Sequence, residues 1–313
     1  MVETPSTRPH IRLGTRRSPL AMAQAYEVRD RLCAAHGWEL EAVEIVGVQS
    51  SGDKIQDRPL ADIGGKALWT RELDTFLLAA RIDIAVHSLK DVETLRPPEI
   101  VIGGVLERAD VADRLVGASS LSAIPQGAVV GTSAPRRAAQ MLYHRPDCTV
   151  ESLRGNVATR LAKLAAGEVD VTLLAAAGLE RLGEDGVGTR LPPEDWLPAP
   201  QQGAIGVEAR AEDGKTLGYL AAIDCARTHR AITVERAILA ALGGTCQSPV
   251  AMLSDVAANG SVAVRAAVFS ADGSQRVEAR ETFACGNTDA RDFAHSLLDR
   301  SSDAIRALFP GAA

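Results

Sequence analysis

The chain is poor in lysine. Of its 34 basic residues 29 are Arg and only 5 are Lys, against 40 acidic residues, for a formal net charge of −6. That balance sets aside a general nucleic-acid binder, which carries a basic surplus. No apolar run approaches the length of a bilayer span, so no membrane role is expected. The opening MVETPSTRPH lacks the basic start and apolar stretch of a secretory signal, and a cytosolic location follows as the expectation. Cys33, Cys148, Cys225, Cys246 and Cys285 are odd in number and widely spaced, with no C-x-x-C pair. A disulfide framework and a zinc cluster are both disfavoured, and no metal site is expected.

What is present suits a packed protein of two or three domains: 313 residues, 46% hydrophobic and 24% charged. The arginine excess has two readings. One is codon bias. The other is a site for several carboxylates or phosphates, since Arg offers a flat, permanently charged fork of donors. Composition does not choose between them.

Strand and helix signals alternate through the first two thirds. A strand at 11–14 precedes Ser18-Pro19, an N-cap and first-turn proline, and a helix that His36-Gly37 closes. A β-rich run at 40–48, a helix at 68–80 and a strand at 82–86 follow. The same grammar recurs at 128–137, 149–164 and 171–182. Such alternation predicts α/β units around mainly parallel sheets. Residues 192–200 are proline-rich and read as a crossing segment. Beyond them a helix at 231–242, strands at 250–252, 262–269 and 277–284, and a helix at 289–308 predict a smaller α+β domain with an antiparallel sheet.

Four polar clusters fall at helix starts, each with a cation nearby: Gly14 to Ser18 with Arg16, Gly64-Gly65-Lys66, Gly131-Thr132-Ser133 before Arg136 and Arg137, and Arg154-Gly155-Asn156 before Arg160. One such cluster is commonly a cap; four together predict a polyanion held between two domains. Lys90 and Asp91 follow a strand, where open α/β sheets bind ligands. Asp91 there is either half of a surface ion pair or a group that moves a proton or steadies a cation. His87 reads as structural. Cys246, within Gly243-Gly244-Thr245-Cys246-Gln247, is either a buried loop thiol or a nucleophile.

The chain closely resembles the porphobilinogen deaminase family. The resemblance rests on LGTRRSPLAMAQA from Leu13, GDKIQDRPLADIGGKALWTRELD from Gly52, DIAVHSLKDV from Asp83 and GTSAPRR from Gly131. It continues through LRGNVATRLAKL from Leu153, LLAAAGLERLG from Leu173, PAPQQGAIGVEAR from Pro198 and GGTCQSPVA from Gly243. These segments run in order from about residue 10 to 255, and runs of this length are specific.

The resemblance implies two α/β domains like type II periplasmic binding proteins plus the smaller α+β domain. It assigns 8–106 with 204–221 to a discontinuous first domain, 107–203 to the second and 222–313 to the third. It implies a monomer that condenses four porphobilinogen molecules head to tail, releasing ammonia, and hydrolyses off the linear tetrapyrrole. The implied cofactor is one dipyrromethane, joined by a thioether to Cys246. Asp91 would be catalytic, stabilising the azafulvene cation formed as ammonia leaves. Lys90, Asp91, Ser133, Arg136 and Arg137 would hold the cofactor, and Arg16, Ser18, Lys66, Arg154, Asn156, Arg160, Arg181 and Gln202 the substrate. Residues 48–60 would cover the site as a mobile loop.

Departures from the family pattern are few. Asp62 stands where some members carry a lysine, Trp69 where Phe is usual, and Thr245 where some have glycine. Glu93 replaces a proline, which predicts a looser loop after Asp91. Two other classes stay open: an anion receptor, which gives Cys246 no purpose, and a cysteine acyltransferase, which lacks a basic partner for the thiol.

Overall fold

The computed structural model describes residues 9–49 and 70–311. The first unit starts with β1 (Ile11–Arg16), α1 (Pro19–His36) and β2 (Val43–Val48), then α2 (Arg71–Leu78), β3 (Ile84–Ser88) and β4 (Ile100–Val105). Ser18 Oγ accepts from Ala21 N at 3.3 Å, and Gly37 ends α1 at φ +65°. Both are the caps the sequence predicts. The second unit holds β5 (Asp113–Val116), β6 (Val129–Gly131), α3 (Pro135–His144), β7 (Thr149–Glu151), α4 (Val157–Ala165), β8 (Val171–Ala175), α5 (Ala176–Glu180) and β9 (Thr189–Arg190). The chain then returns to the first unit as β10 (Ile205–Arg210) and α6 (Gly214–Ala221).

The first sheet has the order β2-β1-β3-β10-β4 and the second β7-β6-β8-β5-β9. Both share one plan. Four of the five strands run in one direction, and the fourth in order lies antiparallel to its two neighbours. The sheets are mainly parallel, as expected, with one reversed strand in each. The antiparallel strand of each arrives from outside the local strand–helix alternation, where period and spacing carry no signal.

α7 (Ala226–Ala241) leads to the third sheet, β11 (Val250–Val256), β12 (Val262–Phe269) and β13 (Arg276–Phe283), wholly antiparallel. The final helix is two, α8 (Arg291–Asp299) and α9 (Asp303–Arg306), because Ser302 turns extended at ψ 168°. Residues 40–42 form a 3-10 turn before β2, not strand.

Each sheet has its own core. Val28 and Leu32 of α1 pack on Ile11, Leu13, Ile84 and Val207; Leu115, Val130 and Leu173 pack with Trp196; and Ile238, Met252, Val264, Phe293 and Leu297 fill the third unit. Two smaller clusters join the units: Leu89, Val105 and Ile232 tie the first to the third, and Ala139, Leu197 and Phe269 tie the second to the third.

Candidate active site

The parallel strands of both α/β sheets end at the predicted site residues. β1 ends at Arg16, two residues before Ser18. β3 runs into a 3-10 turn of Leu89, Lys90 and Asp91. Leu89 is fully buried, and its amide donates to Ala204 O at 3.1 Å. Its side chain lies over Gly206 of β10, where a Cβ would come within 2.2 Å of Leu89 Cδ2. Only glycine lets the returning strand press the turn into place, so segments far apart in sequence fix Asp91.

Arg16, Ser18, Gln24, Ser88 and Asp91 line one cleft. Gln24 is a residue sequence reasoning missed. It is buried, and its Nε2 donates to Ser88 Oγ at 2.7 Å. Its signal was a polar side chain on the apolar stripe of Ala21, Ala25 and Val28. Among the described residues the Asp91 carboxylate accepts no hydrogen bond, while Lys90, Arg160 and the Cys246 thiol all feel its charge.

Across the cleft, Arg136 and Arg137 sit buried in the first turn of α3. Both are held by Asp113, the fully buried first residue of β5. Arg136 Nη1 donates to Asp113 Oδ2 at 2.5 Å and Arg137 Nη2 to Oδ1 at 2.7 Å. Trp196 Nε1 and Gln202 Nε2 each add a bond at 2.9 Å. Burial opposes ionisation of Asp113, but the two guanidiniums prevail and hold its pKa well below the ordinary range. Two cations against one carboxylate leave one positive charge, and among the described residues Arg136 Nε has no acceptor. Burial, then Arg137, brings the Lys90 pKa down to about 8; the same two causes bring Arg160 to about 10.

The other predicted residues divide. Ser133 Oγ donates to Leu153 O at 3.0 Å, at the mouth of the second sheet. Asn156 caps α4, its Oδ1 accepting from Thr159 N at 2.9 Å. Arg160 Nε is tied to Gly155 O at 2.9 Å, and Arg154 is half-buried nearby. Gln202 serves Asp113 and Val111 O rather than standing open. Arg181 bonds Glu27 of α1 and the Gly203 carbonyl. Lys66 with its Gly64-Gly65 loop, Asp62, Trp69 and residues 50–60 of the expected covering loop lie outside the described residues.

His87 reads as structural here too, buried 3.2 Å from Glu208 of β10. Glu208 is held down to about 2: burial raises it, but His87 and then Arg96 outweigh that. Arg96 also binds Glu93, whose Oε2 accepts from Thr70 Oγ1 at 2.7 Å. Glu93 thus fastens the loop after Asp91, against the expected loosening.

Cys246 is exposed in a turn closed by Thr245 N donating to Ser248 Oγ at 3.0 Å. Thr94 Oγ1 donates to Gly244 O at 2.8 Å, pinning this turn to the loop beyond Asp91. Crowding by protein raises the thiol pKa, and the Asp91 carboxylate raises it further. Among the described residues no base activates it, which suits a point of attachment better than an acyl-transfer nucleophile. All five cysteines are free, and Cys285 is exposed rather than a core residue. Among the described residues no three His, Cys, Asp or Glu side chains cluster to hold a metal.

An accessible thiol, a carboxylate without hydrogen bonds among the described residues and several partly compensated cations suit a linear polycarboxylate tethered at Cys246. The orphaned Arg136 Nε fits the carboxylates of such a group. The fold and site define a cleft enzyme of two α/β units with a thiol-bearing third. Residues 11–218 match the family model "Porphobilinogen deaminase, dipyromethane cofactor binding domain" and residues 229–300 "Porphobilinogen deaminase, C-terminal domain". Relatives include porphobilinogen deaminase of Sphingopyxis alaskensis, 55% identical over 307 residues, covering 96% of each chain. That of Paracoccus denitrificans is 46% identical, covering 96% of this chain and 97% of its own. The chloroplastic enzyme of Oryza sativa is 47% identical, covering 87% and 77%. The chain belongs to the porphobilinogen deaminase family. Among solved structures it is similar to a periplasmic His/Glu/Gln/Arg/opine family-binding protein from Silicibacter pomeroyi, at 19% identity and TM-score 0.36, covering 68% of this chain and 88% of that one.

Proposed function

We propose that the chain is a transferase of tetrapyrrole biosynthesis that condenses four porphobilinogen molecules head to tail, losing one ammonia each time, and releases the linear hydroxymethylbilane by hydrolysis. The observation that carries this reading is Asp91: a carboxylate without hydrogen bonds among the described residues, at a strand end, within electrostatic reach of Lys90, Arg160 and the Cys246 thiol. Cys246 would hold a dipyrromethane as a thioether, and that group would supply a nucleophilic pyrrole carbon. Asp91 would steady positive charge that develops near its carboxylate as ammonia departs and would accept and return a proton there. Lys90, Ser133, Arg136 and Arg137 hold the cofactor carboxylates. Arg16, Ser18, Lys66, Arg154, Asn156, Arg160, Arg181 and Gln202 serve the substrate side. Each pyrrole brings two carboxylates, so a cleft with so many donors suits a growing oligomer better than a single small anion.

The domains are assigned as 8–106 with 204–221, 107–203 and 222–313. A main core under each sheet and the return of β10 to the first sheet support this division. The working form is a monomer in the cytosol, without nucleic-acid or membrane partners. A net charge of −6 fits the first exclusion, and among the described residues no helix is long and apolar enough to cross a membrane. Incubation with porphobilinogen tests the function: four ammonia per tetrapyrrole released supports it, and unconsumed porphobilinogen refutes it.

A further inference from the structure

Glu27 and Arg181 form an ion pair between the two α/β units. Arg181, just after α5, donates from Nε to Glu27 Oε2 at 3.3 Å and from Nη2 to Gly203 O at 3.2 Å. Glu27 lies on α1, the helix that also gives Leu20, Ala21 and Gln24 to the cleft wall. One turn earlier, Gly178 of α5 faces Leu20; a Cβ there would stand 3.5 Å from Leu20 Cδ2. This contact is thus a glycine face against one leucine, with a single ion pair beside it. Among the described residues no other ion pair joins α1 to a helix of the second unit.

The pair differs from the other arginine clamps of the cleft. Asp113 is sealed from solvent and takes two guanidiniums at 2.5 and 2.7 Å. Glu27 keeps 32% of its side chain exposed and accepts one long bond. A half-hydrated, single-bond pair is readily exchanged for another of the same kind. A carboxylate arriving in the cleft offers Arg181 the same chemistry as Glu27.

We infer that Glu27 is a positioning residue, which holds Arg181 as a latch between the two α/β units and yields it to an incoming substrate carboxylate. Binding and latch release then compete. This rests on the reading of the cleft as a porphobilinogen site, so its test has one arm that needs no substrate. In the full-length holoenzyme, Glu27→Gln removes the charge but keeps the shape, and Glu27→Asp keeps the charge. Without substrate, Glu27→Gln speeds hydrogen exchange of residues 18–28 and 176–182 by about two- to fivefold, the range open to a weak ion pair. With porphobilinogen, its KM falls by a similar factor of about two to five while kcat stays within about twofold. Glu27→Asp restores both towards the parent. Unchanged exchange in Glu27→Gln, or a KM that is unchanged or raised, overturns the latch. A parent protein that left porphobilinogen untouched would instead refute the functional reading, while exchange still decided the latch.

Discussion

Asp91 and Asp113 are the same side chain in the two α/β units, and they could hardly be treated more differently. Asp113 is fully buried and accepts from Arg136, Arg137, Trp196 and Gln202. Its lone pairs are spent, and its charge is locked in by two guanidiniums. Asp91 is half-buried and, among the described residues, accepts nothing. A saturated carboxylate fixes its neighbours; an open one at the end of a rigid strand is left for the reaction. Under the proposed function the second unit supplies scaffolded cations and the first the reacting group.

The largest expected effect separates the two directly. Asp91→Ala lowers kcat by about 10³-fold, in the range for loss of a charge-stabilising or proton-moving group, while the primer is at least partly retained and the urea midpoint barely moves. Ammonia release at the normal rate would break the comparison. Asp113→Ala acts the other way: it leaves two buried guanidiniums uncompensated and costs about 3–5 kcal/mol, read as an earlier urea transition. An unchanged transition would deny Asp113 its structural role.

Smaller effects follow from charge. Before the cofactor is attached, Lys90, with a pKa of about 8, discharges as pH rises through that value. Binding of a polycarboxylate to the cofactor-free chain, measured by calorimetry, should weaken about tenfold between pH 7 and 9 as one charge-assisted contact is lost, and Lys90→Arg should move the fall upward. At the acid end, Glu208 has a folded pKa of about 2, below its ordinary 4.5. Unfolding then takes up a proton, so its contribution is complete above about pH 4.5 and fades as pH falls towards 2. Glu208→Gln should flatten that part of the stability–pH curve, measured by thermal melting between pH 5 and 2.

Much of this was legible in the chain. Local chemistry announced itself: the Ser18-Pro19 start and Gly37 stop of α1, the apolar β3, and the polar clusters after strands. The resemblance brought Asp91 and Cys246 together, although 155 residues of sequence separate them. What stayed hidden was non-local. Nothing in 205–210 says that it inserts between β3 and β4, because that pairing is made with strands about a hundred residues away. Asp113, in the short Asp113–Val116 strand, reads as an exposed polar residue until α3 brings two arginines onto it. Likewise Glu93 seemed to loosen its loop because Arg96 and Thr70, its partners, form no motif with it. Gln24 was visible only as an oddity on a buried stripe, and Ser88 explains it.

The most direct test of the account is the intact mass of the purified protein beside its Cys246→Ser variant. The expected result is a parent chain heavier than its sequence by two linked pyrrole units, an active parent, and a serine variant without the added mass or the activity. An active parent at its bare sequence mass, or a serine variant that still carries the pyrroles, would contradict it.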